Sequence, residues 1–163
     1  MRLAIALVAA ACGTPGPSWV PDAGPCTAYV STIDLQTPTV SLAHDVMPVF
    51  AASCASASCH GIADMPQGGV FLGAELAQGS DSSTVRAMLV GASASEMPTM
   101  SLVAAGDPTH SFLMHKLDGD QCQFDTACVG GSCMLTMPFG TAQLSADDRD
   151  TVRRWIAQGA NDN

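Results

Sequence analysis

The chain has 163 residues, with six Lys and Arg against fifteen Asp and Glu and a formal net charge of −9 at pH 7. That length supports one domain with a real core, not two. So acidic a balance argues against nucleic acid as a partner, because phosphate backbones reward clustered positive charge. Aromatic residues make up only 5% of a chain rich in Ala, Gly and Ser. Two explanations stand: a small core closed around a large, flat, apolar group, or a high-GC genome that favours alanine codons.

Met1 and Arg2 give a short positive start, and Leu3 to Ala11 form an apolar run ending in small residues. The run is too short to span a bilayer and reads as a secretory signal. Leu7-Val8-Ala9-Ala10-Ala11-Cys12 resembles a bacterial lipobox, in which the cysteine is lipidated and becomes the mature N-terminus. The other reading is an ordinary cleavage site after one of the alanines, with Cys12 incidental. The expectation is a signal over residues 1–12 and an exported bacterial protein, periplasmic or on the outer membrane, that meets lipid only through its anchor. Residues 13–40 hold most of the early prolines and glycines and little periodicity. They are expected to be a flexible tether, with Cys26 pinning the distal part and a short extended piece from Tyr29 to Leu35.

The domain proper is expected over 41–163. Val46, Val49, Phe50 and Ser53 fall at helical spacing, so Asp45 to Ser53 reads as a short helix, with Pro48 tolerable in its first turn. That helix leads into Cys54-Ala55-Ser56-Ala57-Ser58-Cys59-His60-Gly61. Two thiols followed at once by a histidine are what covalent haem attachment needs. Each thiol adds across one porphyrin vinyl group, and the adjacent imidazole binds the iron. The usual signal is C-x-x-C-H; here four small residues separate the cysteines, a rarer variant in which the spacer bulges outward. A Cys54–Cys59 disulfide beside an incidental His60 is the bland alternative. A structural zinc site is weaker still, since His110 and His115 lie far along the chain and in no knuckle pattern.

Gly61 releases the chain into a loop where Phe71 and Leu72 wall a bound group or simply join the core. Asp81 to Val90 reads as a helix ending at Gly91. Met97-Pro98 and Met100 follow in a loop. Asp107 is an N-cap with Pro108 at the first helical position, and Ser111 to Leu117 completes that helix. Residues 118–134 carry Cys122, Cys128 and Cys133 without periodicity, and read as a disulfide-stapled insertion. Ser145 with Asp148 opens a last helix that runs to about Gln158, with Gly159 closing it.

The chain has seven cysteines. With Cys12 lipidated and Cys54 and Cys59 on haem, Cys26, Cys122, Cys128 and Cys133 remain for two disulfides, whose pairing the spacing leaves open. Disulfides and haem attachment both belong to oxidising compartments outside the cytoplasm.

From His44 to Ala160 the chain resembles a class I c-type cytochrome domain, nearest the type found in exported proteins of planctomycetes and myxobacteria. The resemblance rests on the Val49-Phe50 helix entering Cys-x4-Cys-His-Gly, on Ala104-Ala105-Gly106-Asp107-Pro108 before Ser111-Phe112-Leu113, on Met137-Pro138 before Leu144, and on Val152-Arg153-Arg154-Trp155-Ile156-Ala157-Gln158-Gly159-Ala160. It implies an all-α, cytochrome c-like fold: a few short helices and long loops around one covalent haem c, with the first and last helices crossing. It also implies that Met137 is the distal ligand opposite His60, with Met97 the alternative. A thioether is a soft, neutral ligand that favours ferrous haem. The implied role is an electron carrier, with no substrate of its own, that meets a redox partner protein with a basic docking face. The rivals are a haem-free binding module holding a Cys54–Cys59 disulfide, and the haem subunit of a larger oxidoreductase.

Overall fold

The computed structural model describes residues 26–73 and 81–163. The proposed signal and Cys12 lie outside them. The described residues form four short α-helices and no sheet; the extended chain contributes only isolated bridges, such as Val90 with Val103. Helix α1 is Met47–Ser53 and continues a π-helical turn, Leu42–Val46; α2 is Ser82–Leu89, α3 Phe112–Asp118 and α4 Ala146–Ala157.

Each start has a local cause. Ser41 accepts from the His44 amide at the π-turn, and Pro48 sits in the first turn of α1, where its missing N–H costs nothing. At α4, Ser145 Oγ accepts from the Asp148 amide at 3.1 Å. The Asp107 cap expected from sequence is present, accepting from the Thr109 and His110 amides. It opens a separate 3-10 turn, Pro108–His110, because Ser111 is extended (φ −108°, ψ 109°) and breaks the helix before α3. The Ser111 hydroxyl holds that break, accepting from the Ala104 amide and donating to the Asp107 carbonyl.

The helices share one core. Val46, Met47 and Phe50 meet Val85 and Leu89 of α2, Phe112, Met114 and Leu117 of α3, and Val152, Trp155 and Ile156 of α4. Helix α4 packs on α3 and on the Leu42–Val46 turn that leads into α1. The chain end returns to the same place: Asn163 accepts from the Leu42 amide, and Trp155 Nε1 donates to the Asn161 carbonyl at 2.9 Å.

The segment expected as a tether lies on the helices over its described part. Cys26 is bonded to Cys122, and the Tyr29 amide donates to Asp120 at 2.9 Å. The Tyr29 ring sits 4.8 Å and 4.7 Å from the Arg149 and Arg153 guanidinium carbons, and both arginines pair with Asp118. Residues 29–35 contain bends and form no strand. The insertion folds as two 3-10 turns, Gln121–Ala127 and Val129–Gly131, stapled by Cys128–Cys133.

Candidate functional site

Helix α1 ends at Ser53, and the cysteine motif folds as a closed loop directly after it. The Cys54 and Ala55 amides both donate to the Phe50 carbonyl. The His60 amide then returns to the Cys54 carbonyl at 3.2 Å, and the Cys59 and Gly61 amides share the Ser56 carbonyl. The four-residue spacer is thus taken up by internal hydrogen bonds, leaving both ends of the motif adjacent. Gly61 is required by space: a Cβ there would lie 2.1 Å from the Ala55 carbonyl oxygen.

The His60 ring is oriented from behind. Its Nδ1–H donates to the Val70 carbonyl at 2.9 Å, so in the neutral ring the lone pair belongs to Nε2. Burial pushes the His60 pKa below its ordinary value, against the opposing pull of the Val70 bond. The ring is therefore kept neutral, the form in which imidazole is a ligand. The Cys54 thiol is free and buried, and burial pushes its pKa up to about 12. Since Cys54 is free, the expected rival with a Cys54–Cys59 bridge does not describe this structure; Cys59 is disulfide-bonded, and not to Cys54.

Cys54, Cys59 and His60 line a cavity of about 960 Å³, at the upper end of the range for ligand pockets. Leu72, Leu102 and the Phe112, Leu113 and Leu117 face of α3 supply its apolar walls. Phe71 is core rather than lining. The chain from Met134 to Ser145, which includes Met137 and Pro138, also lines the cavity. The Met137 amide donates to the Lys116 carbonyl at 2.9 Å, which ties this segment to the end of α3. Met97, the alternative ligand, is buried in the core and is not among the lining residues.

The other histidines lie elsewhere. His110 is exposed on Asp107, and His115 bonds Asp120 through Nδ1 and the Thr109 carbonyl through Nε2. Neither lines the cavity. Among the described residues no cluster of three His, Cys, Asp or Glu could hold a bare metal ion.

Sequence reasoning passed over Lys116. It lines the cavity and is only 6% exposed, and its Nζ donates to the Cys133 carbonyl at 2.8 Å. The signal was there: a lysine on the α3 face that otherwise reads Phe112, Leu113 and Leu117. Comparison with protein-family models, curated proteins and solved structures finds no match for this chain.

Proposed function

We propose that this protein is an exported monohaem c-type cytochrome with a cytochrome c-like fold, acting as an electron carrier. The observation that carries the reading is that one cavity collects both cysteines of the motif, an oriented neutral imidazole and Met137. The donor set would fit haem c: Cys54 and, once reduced, Cys59 would hold the vinyl groups, and the His60 imidazole and the Met137 thioether would be the iron ligands. When bound, haem supplies a one-electron couple, Fe(III)/Fe(II).

This chain's residues do the rest. The Val70 carbonyl fixes the His60 tautomer, and the apolar α3 face excludes water. The bond from the Met137 amide to the Lys116 carbonyl ties the Met137 segment to α3. Attachment at Cys59 requires that sulfur in its reduced form, so reduction precedes thioether formation.

The test is expression in a bacterium with haem-attachment machinery. Intact mass is expected to exceed the mature polypeptide by one haem, and the reduced protein to show a low-spin c-type spectrum. A mass equal to the bare polypeptide ends the reading. In the loaded protein, Met137→Ala should abolish the sulfur-to-iron charge-transfer band of the oxidised form, whereas Met97→Ala should leave it intact. The reverse pattern assigns the iron to Met97.

A further inference from the structure

Among the described residues lining the cavity, Lys116 is the sole lysine or arginine, in a chain with nine more acids than bases. A buried ammonium is costly unless its charge is met and its donors are used. Lys116 Nζ uses one of its three donors, on the Cys133 carbonyl. The Phe112 ring, 5.7 Å away to its centroid, offers only a weak cation–π contact. Glu96 lines the same cavity and its charge favours the ammonium, but it lies too far to form a salt bridge with Lys116. The cavity therefore presents a cation with spare donors beside apolar walls. Its complement is a largely apolar occupant that carries a carboxylate.

We propose that Lys116 receives a carboxylate of the cavity's occupant; under the haem reading, on which this rests, that group is a haem propionate. Lys116 is then a positioning residue. It sets the rotation of the ring relative to Cys54 and Cys59 and keeps the propionate ionised. The Cys128–Cys133 staple gains a purpose, because the Cys133 carbonyl aims the ammonium.

The test uses haem-loaded protein and its midpoint potential as a function of pH. Loading is read first, by intact mass: if wild type carries no haem, the haem reading fails and this proposal fails with it. In loaded protein, Lys116→Gln keeps a donor for the Cys133 carbonyl and removes the charge. Losing a nearby cation raises a carboxyl pKa by about 1–3 units. The propionate should then titrate between about pH 5 and 8. An ionised propionate stabilises ferric haem, so the variant's potential should fall with rising pH across that window, while wild type stays flat. Lys116→Arg should restore the flat profile. A Lys116→Gln curve parallel to wild type, even if uniformly offset, overturns the proposal while leaving the haem reading intact. If Lys116→Gln fails to accumulate, Lys116→Met, of similar length, carries the same expectation and the same refutation.

Discussion

At the residue scale, Cys54 shows how far burial alone can set chemistry. Its thiol pKa moves from an ordinary 9.0 to about 12 for one cause, desolvation of the thiolate. The thiolate is the nucleophile, so at pH 8 the reactive fraction falls about a thousandfold. Haem-free protein should accordingly be alkylated at Cys54 by iodoacetamide at least about tenfold more slowly when folded than in urea, as read by mass, because the greater nucleophilicity of a more basic thiolate offsets part of the lost fraction. Equal rates would show that the thiol is not enclosed. His115 illustrates the opposite balance. Burial pulls its pKa down, but the Asp120 hydrogen bond and charge, with the Thr109 carbonyl, outweigh it and leave the pKa raised. A raised histidine contributes stability below its ordinary 6.5 and loses it as pH climbs through the folded value. It is thus a clamp that tightens in mild acid, at the place where Asp120 also holds Tyr29.

At the scale of elements, the two disulfides have unequal duties. Cys26–Cys122 spans 96 residues and Cys128–Cys133 spans 5. Loop-closure entropy assigns about 4–5 kcal/mol to the long bridge and about 2 kcal/mol to the short one. Replacing Cys26 and Cys122 by Ser should lower the urea midpoint by more than replacing Cys128 and Cys133. An equal or reversed order would mean that the Tyr29 stack on Arg149 and Arg153 already holds the N-terminal segment unaided. Spacing could not choose this pairing, since four cysteines permit three connectivities and the partners of Cys26 lie far along the chain. What was legible was periodic or capped: Val46 and Phe50 in and beside α1, Val85 and Leu89 in α2, the Ser145 cap of α4. What was not legible was tertiary. The break at Ser111 depends on carbonyl and amide groups of residues 104 and 107, and the 3-10 turns of the insertion have no apolar period to read. The candidate site divides in the same way. Cys54, Cys59 and His60 declare themselves by residue type and order and Met137 only through the cytochrome resemblance, whereas Lys116 acquires meaning only when α3 turns it into a cavity.

On the scale of the whole molecule, the acids outnumber the bases by nine. The bases among the described residues are spent internally: Lys116 on the Cys133 carbonyl, Arg149 and Arg153 on Asp118, Arg86 on the Ala160 carbonyl, Arg154 on that of Asp34. Asp45, Asp64, Asp147 and Asp162 remain exposed. A cation approaching the molecule is therefore drawn in and an anion repelled, and such steering changes association rates by about 10- to 1,000-fold at low salt. Reduced, haem-loaded protein should pass its electron to a tripositive cobalt complex at least about tenfold faster than to a trinegative one of matched driving force, at about 10 mM ionic strength, where the Debye length is about 30 Å. Near 1 M salt, with a Debye length of about 3 Å, the ratio should approach unity. Stopped-flow traces at the two ionic strengths measure both. A preference that survives high salt would place the selectivity in local contacts at the cavity mouth, where Met134, Leu135 and Phe139 stand exposed, and would remove the charge-based argument for a basic partner.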